Sequence, residues 1–196
     1  MQKCIQMLCL LCLGVIVSGC SMSIIRLEYD KPGALMPYKE TISIEIKNDR
    51  PEFYGYGEDP TYVVVSTRPA YTVPGRQIDK VMGLFMQDAL AAAGYKGIMA
   101  NDQPSVAPCL IVSIKDFLGR GYNTFVMNME LDLKLVKRPS GETLWHNTLS
   151  ASDRVTLIWG PGELNEGFTK MLNQAMPAAV ALFQADDFKD ALNQRH

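Results

Sequence analysis

Residues 125–135, Phe-Val-Met-Asn-Met-Glu-Leu-Asp-Leu-Lys-Leu, alternate apolar and mostly polar side chains without a break. Because successive side chains of a strand point to opposite faces, this pattern predicts a long strand with one dry face and one mostly wet face. A half-buried strand needs neighbours and a covering layer, so the flanking segments decide the architecture. The predicted dry face consists of Phe125, Met127, Met129, Leu131, Leu133 and Leu135.

Two further strands are predicted next to this segment. Residues 106–117 precede it and residues 143–157 follow it, with turns at residues 119–121 and 138–141 that contain Gly or Pro. Short connections of this kind favour antiparallel pairing. The three segments are therefore expected to form a β-meander.

Two strands and a helix are predicted before the meander. Residues 42–46 alternate isoleucine with polar residues, and residues 61–67 are rich in β-branched side chains. Residues 69–74, which begin and end with proline, are predicted to form a loop. Apolar side chains between residues 78 and 90 recur every three or four positions, which indicates an amphipathic helix, and Gly94 is a natural end for it.

A second helical pattern begins near Gly162, and Pro177 is expected to kink or divide it. Asp186 and Asp187 are suited to cap a last short helix. The resulting order is β-β-α-β-β-β-α-α. It predicts an α+β fold, with a largely antiparallel sheet of about five strands and amphipathic helices packed on one face.

The N-terminus has the layout of an export signal. Lys3 is followed by an uncharged apolar run at residues 7–17, and small residues lead to Cys20. The run is too short to span a bilayer comfortably. Val17-Ser-Gly-Cys20 resembles the lipobox of bacterial lipoproteins, whose leader is cut before the cysteine and whose cysteine carries diacylglycerol and a further acyl chain. An ordinary signal peptide cut nearby, which would leave Cys20 a free thiol, is the alternative.

This interpretation divides the chain into a signal peptide (residues 1–19), a lipidated N-terminus with an extended tether (20–39) and a single α+β periplasmic domain (40–196). Cleavage would leave 177 of the 196 residues, enough for one domain with a real core. Lys3 is the only charge in the leader, so the mature part has a net charge of −3 and no basic block. Nucleic-acid binding is therefore not expected, and attachment to the membrane is expected through the lipid. In the tether, a short docked strand formed by Ile24, Ile25 and Leu27 is the alternative to an extended linker.

Several features of the sequence occur together: the lipobox leader, an early strand, a long amphipathic helix ending at Ala93-Gly94-Tyr95, a β-meander and a polar helical tail at residues 186–194. This layout resembles the YajG-type family of small outer-membrane lipoproteins over most of the mature chain. The resemblance implies an outer-membrane location facing the periplasm, and it brings no catalytic residues. Ser21, in place of Asp after the cysteine, also resembles lipoproteins sent to the outer membrane.

Few residues form a pattern with known chemistry. His146 has no HxH, HExxH or cysteine partner spacing near it, so no metal, cofactor or catalytic role is expected. Ser150 and Asp153 could complete a triad with His146 on paper, but no GxSxG elbow supports a hydrolase. The acidic loop at residues 49–59 does not match a calcium loop. Cys109 lies in an apolar run and is expected to be buried.

Two surfaces are candidates for binding a partner. The first is an aromatic loop with Phe53, Tyr54, Tyr56 and Tyr62, because tyrosine combines contact area with a polar tip and is enriched at interfaces. The second is Trp159, at a predicted strand-to-helix corner. Each has a structural alternative, in which the tyrosines pack over a sheet edge and Trp159 fills the end of the sheet.

Three functions are compatible with these observations. The leading hypothesis is a non-catalytic, lipid-anchored envelope protein that binds another envelope component or supports its assembly. The second is a periplasmic carrier of a lipid or small apolar ligand, in a groove between the helix and the sheet. The third is a hydrolase built on His146, Ser150 and Asp153.

Overall fold

The computed structural model describes residues 27–33, 37–50, 62–65, 68–72, 75–100, 108–121, 124–156 and 162–194. For residues 62–65, 68–72, 75, 76 and 162 the backbone alone is described. The elements in chain order are β1 (Glu40–Asn48), β2 (Tyr62–Val65), β3 (Arg68–Thr72), α1 (Gly75–Ala93), β4 (Tyr95–Met99), β5 (Cys109–Gly121), β6 (Thr124–Val136), β7 (Thr143–Thr156), α2 (Gly162–Gln184) and α3 (Asp186–Asn193).

The described strands form one seven-stranded mixed sheet that is organised around β5. The first half of β5 pairs with β1, its second half pairs with β3, and its whole opposite edge pairs with β6. Five strands therefore follow the order β7-β6-β5-β1-β4, while the β2–β3 hairpin lies beside the far end of β5.

The α+β class and the antiparallel β5–β6–β7 meander are confirmed, but the sheet is not largely antiparallel. β1 pairs in parallel with both β4 and β5. This arises because α1 returns the chain across the sheet, so that Tyr95 at the start of β4 pairs with Glu40 at the start of β1. Alternation within a strand shows which residues share a face, but it does not show the direction of the neighbouring strands. The sequence pattern therefore could not predict the two parallel pairs of β1.

Two strands are absent from the predicted order. β3 occupies the segment predicted as a proline-bounded loop; Pro69 is accommodated because it precedes residues 70–72, which are the ones that pair with β5. β4 has only five residues, one of them Gly97. A Cβ at Gly97 would lie 2.8 Å from Ile44 Cδ1 and 3.2 Å from Gln87 Cα. Glycine therefore lets α1 approach the sheet closely and also hides the alternation of β4.

α1 and α2 pack side by side on one face of the sheet, as predicted. α1 lies over β1 and β4, and α2 lies over β7 and β6. We call the covered side of the sheet the inner face and the other side the outer face. The predicted dry face of β6 is the inner face, and all six of its apolar residues are at most 1% exposed: Phe125, Met127, Met129, Leu131, Leu133 and Leu135.

The ends of the helices agree only in part with prediction. Gly94 follows α1 with a φ of 93°, which confirms its role as the stop. Pro177 lies within a continuous α2 and does not divide it, and its side chain is exposed. Ala185 and not an aspartate is the N-cap of α3. Asp186 and Asp187 lie in the first turn, where negative charge favours the helix dipole.

Candidate functional site

Residues 27–33, which lie in the predicted tether, pack against the helices without forming a strand. We call this segment the strap. Leu27 is buried and belongs to the main core. The ring of Tyr29 packs edge-on against Phe85 of α1 with 5.3 Å between centroids, and its hydroxyl donates a hydrogen bond to Asp88 Oδ2 at 2.8 Å. This part of the tether is therefore bound to the domain.

Polar contacts extend the strap from α1 to α2. The backbone N–H of Asp30 donates to Asn173 Oδ1 at 2.7 Å, and Asn173 Nδ2 donates in return to Asp30 Oδ2 at 2.8 Å. Lys31 Nζ lies 3.7 Å from Asp88 Oδ2. Because the Asp30–Asn173 contact is reciprocal, it fixes the position of the strap along α2 as well as holding it there.

The environment of Tyr29 keeps its hydroxyl available as a donor. Burial, the hydrogen bond to Asp88 and the negative charge of Asp88 all raise the pKa of the phenol above its usual value of 10.0. The Tyr29 hydroxyl therefore keeps its proton, and can donate it to a hydrogen bond, throughout the physiological pH range. Tyr38, further along the same N-terminal segment, is 53% exposed.

The outer face of β6 and β7 carries a hydrogen-bonded pair, His146 and Asp132, that sequence analysis did not predict. His146 Nε2 forms a hydrogen bond with Asp132, and Lys134 Nζ lies 3.0 Å from the other carboxylate oxygen. Burial raises the pKa of Asp132, but the hydrogen bonds from His146 and Lys134 outweigh it, and the pKa lies below its usual value. The His146 side chain is 54% exposed, so the pair is open to solvent. The β6–β7 register pairs Lys134 with His146 and so brings His146 near Asp132; a prediction of this register from the sequence would have predicted the contact.

The three residues of the hydrolase hypothesis do not come together. His146 and Ser150 are exposed on the outer face. Asp153 has the same parity along β7 as the buried Leu149, so it belongs to the inner face. Its Oδ2 is buried and has no hydrogen-bond partner among the described residues. A Ser-His-Asp triad is therefore incompatible with this strand.

Cys109 is buried at the start of β5, as predicted. Its Sγ accepts a hydrogen bond from Arg138 Nη2 at 3.2 Å, and the same nitrogen lies 3.6 Å from Glu45 Oε2. Burial raises the pKa of the Cys109 thiol and outweighs the nearby guanidinium. The sulfur is therefore held in its thiol form, which is a poor nucleophile.

A cleft of about 250 Å³ opens where β4 ends beside the first half of α1. Asp79 contributes a polar wall, and its Oδ1 is buried without a hydrogen-bond partner in the described part of the chain. Burial raises the pKa of Asp79, and the positive charge of Arg50 opposes this rise. Burial also raises the pKa of Asp116 of β5, and there too the charge of Arg50 acts in the opposite direction. Arg50 is itself only 4% exposed. The other residues that line the cleft are Ile44, Glu45, Ile46, Lys80, Met99 and Ala100.

The acidic loop that starts at Asp49 is described only at its beginning. Asp49 accepts a hydrogen bond from Lys115 Nζ at 2.8 Å, which lowers the pKa of Asp49. Across the described residues no group of three His, Cys, Asp or Glu side chains is placed to hold a metal ion. In the same part of the chain no helix has the length and apolarity needed to cross a membrane.

Most of the predicted site residues lie outside the described part of the chain. Tyr62 is in β2, where its backbone pairs with Tyr71 and its side chain is not described. The predicted roles of all these residues therefore stay predictions. Those outside the described residues are Cys20, Phe53, Tyr54, Tyr56 and Trp159.

Neither a family model nor a curated protein matches this chain. Solved structures share its fold. A Xanthomonas campestris protein described by the DUF330 family model matches with a TM-score of 0.58 at 9% identity, covering 88% of this chain and 98% of that one. A neuraminyllactose-binding hemagglutinin homolog from Helicobacter pylori matches with a TM-score of 0.50 at 10% identity, covering 87% and 100%. At these identities the chain is similar to both proteins in fold alone.

Proposed function

We propose that this chain is a non-catalytic, lipid-anchored protein of the bacterial envelope that binds another envelope component or supports its assembly. The strap is the observation that carries the proposal, because a lipobox-like Cys20 lies seven residues before a segment bound across α1 and α2. Because the strap holds the chain at Leu27, acyl chains on Cys20 would keep the domain close to the membrane. The lipobox and Ser21 support an outer-membrane location on the periplasmic side.

The engagement of the polar side chains supports a binding role over a catalytic one. His146 is bonded to Asp132, and the Cys109 thiol is bonded to Arg138. In the described part of the chain His146 has no hydrogen bond to a serine or a cysteine, whereas nucleophilic catalysis needs the nucleophile and its base within hydrogen-bond reach. The partner surface remains the one predicted from sequence, with Phe53, Tyr54, Tyr56, Tyr62 and Trp159.

Mass spectrometry of the protein purified from its own membranes tests the anchor. The expected product begins at Cys20 and carries acyl chains. Cys20→Ala is expected to abolish acylation and release the protein from the membrane fraction, whereas Cys109→Ala is the matched control and should remain acylated. A product that retains Met1, or an unmodified Cys20, would refute the anchor.

Photo-crosslinking in living cells tests the partner surface. A photoreactive residue at Tyr54, Tyr56 or Trp159 is expected to give a discrete product with an envelope component. Glu142, exposed in the β6–β7 turn, is the control position and should give none. Products that are absent at all three test positions, or equally abundant at Glu142, would remove this surface from the proposal.

The carrier hypothesis has less support. The cleft beside β4 holds about 250 Å³, below the range of about 300–1,000 Å³ typical of pockets for drug-sized ligands. A second cleft of about 330 Å³ is lined by Tyr95 and Leu192 but also by Asn193 and three charged residues, Lys39, Glu40 and Lys189, and an apolar ligand would remove these charges from water. Native mass spectrometry showing a stoichiometric co-purified lipid would reverse this preference.

A further inference from the structure

We infer that the strap sets the orientation of the domain on the membrane, with the α1–α2 face toward the bilayer and the outer face of the sheet away from it. Acylation of Cys20, as proposed above, is the premise. The strap then determines which side of the domain is attached to the membrane, because Tyr29 and Asp30 hold the chain on the helical side.

The bound strap makes the free tether short. Leu27 is the seventh residue after Cys20, and an extended chain spans at most about 3.6 Å per residue, so the tether reaches at most about 25 Å. With the strap released, the free chain would run to Glu40, where β1 begins, and would reach about 70 Å.

The size of the domain decides what these lengths allow. A folded domain of about 160 residues has a radius of gyration of about 15 Å and hence a diameter of about 40 Å. The path over its surface from the centre of the helical face to the centre of the outer face is then about 60 Å. The tether begins at Leu27, next to the contact of Tyr29 with α1, and from there a tether of about 25 Å is too short for most of that path, whereas one of about 70 Å is long enough for all of it. Only the bound strap excludes a domain whose outer face lies on the bilayer.

The length of the tether, and not the charge of the two surfaces, carries this orientation, because exposed charged residues also lie on the helical side, at Lys80, Glu166 and Lys170. Leu84 of α1 is 45% exposed on the helical side. The outer face carries Asp132, Lys134 and His146, which would lose solvation near lipid. The exposed residues in the second half of α2 are all uncharged: Gln174, Pro177, Ala178, Ala181 and Gln184.

The experiment uses the acylated full-length protein in phosphatidylethanolamine–phosphatidylglycerol vesicles that contain a nickel-chelating lipid. A spin label is placed at Ala181→Cys on the helical face or at Thr148→Cys on the outer face, both at exposed positions. Power-saturation spectroscopy then reports how strongly the lipid-bound nickel relaxes each label. The native Cys109 is buried, and the unsubstituted protein serves as the labelling control.

We expect the label at Ala181→Cys to be relaxed at least threefold more strongly than the label at Thr148→Cys. Two changes should bring that ratio close to one. The first, Leu27→Ala with Tyr29→Ala and Asn173→Ala, removes the core contact of the strap and its side-chain contacts with α1 and α2. The second inserts twelve Gly and Ser residues after Ser23, which lengthens the free tether and leaves the strap contacts and the fold untouched. Tyr38→Ala, at an exposed tyrosine of the same N-terminal segment, should leave the ratio unchanged.

The outcomes separate the orientation from the anchor. Acylated protein with equal relaxation at the two positions, or with stronger relaxation at Thr148→Cys, would overturn the orientation and leave the anchor standing. A ratio that survives the twelve-residue insertion would overturn the role of the strap, even if the triple variant failed to fold. Protein without acyl groups at Cys20 would overturn the anchor and the orientation together.

Discussion

The two faces of β6 share one backbone and meet opposite surroundings. On the inner face, alternate residues from Phe125 to Leu135 lie beneath α2 and are at most 1% exposed. On the outer face, Glu130 is exposed and Asp132 is engaged with His146 and Lys134. The inner face therefore holds the fold together, while the outer face can carry charged contacts without affecting which strand pairs with which.

The strongest test of this comparison removes one side chain from each face. Leu131 is fully buried opposite Leu149, so Leu131→Ala should lower the free energy of unfolding by about 2–5 kcal/mol. Glu130→Ala, at the next residue and on the exposed face, should change it by less than about 0.5 kcal/mol. Urea denaturation measures both values. Similar losses in the two variants would break the distinction between the faces.

A second test extends the inner face to β4. Gly97→Ala would place a methyl group 2.8 Å from Ile44 Cδ1, in the contact between α1 and the sheet. Overpacking at such a site should cost about 1–3 kcal/mol of unfolding free energy. Gly33→Ala is the matched control, since no atom lies within 4 Å of the added Cβ, and it should leave stability unchanged or slightly raised. Thermal melts of both variants check the pair, and equal melting temperatures would show that α1 can yield at Gly97.

The meander and the two long helices could be predicted because their signals are local and long. Six consecutive alternating positions define β6, and a stripe of apolar residues every three or four positions defines α1. β4 could not be predicted in this way, because it is five residues long and Gly97 has no side chain to show a face. The direction of β1 relative to β4 depends on the return through α1, which no pattern within β1 records.

The candidate sites were harder to predict because their contacts are distant in sequence. Tyr29 and Asp88 are separated by 59 residues, and Asp30 and Asn173 by 143. A polar, Pro- and Gly-containing N-terminal segment gives no local signal of where it will bind. The His146–Asp132 pair spans only 14 residues and follows from the β6–β7 register once the connecting turn is fixed.

The charged contacts of the outer face should have a small, pH-dependent effect on stability. Because hydrogen bonds from His146 and Lys134 hold the pKa of Asp132 below its usual value of 3.8, the native state binds fewer protons than the unfolded state does. Asp132 thus contributes stability above the unfolded pKa, and this is lost as pH falls through the lower folded pKa. Asp132→Asn should cost less than about 1 kcal/mol at pH 7.

Urea denaturation from pH 7 to pH 2 measures the Asp132→Asn effect, with Glu142→Gln in the exposed β6–β7 turn as the control. The difference between Asp132→Asn and the unsubstituted protein should shrink at acidic pH. A loss of several kcal/mol, or a loss that is the same at all pH values, would mean that the outer face takes part in holding the fold.

The smallest expected effect comes from the position where the two faces are least distinct. Asp153 occupies an inner-face position between Ala151 and Val155, and its Oδ2 is buried with no hydrogen-bond partner among the described residues. Since an unpaired buried oxygen costs free energy, Asp153→Val should raise the free energy of unfolding by a few tenths of a kcal/mol to about 1 kcal/mol. Ser152→Val, at the exposed neighbour on the outer face, should stay within about 0.5 kcal/mol of the unsubstituted protein. A clear loss of unfolding free energy in Asp153→Val would instead show that the electrostatic attraction between Asp153 and Lys170 outweighs the cost of the unpaired Oδ2.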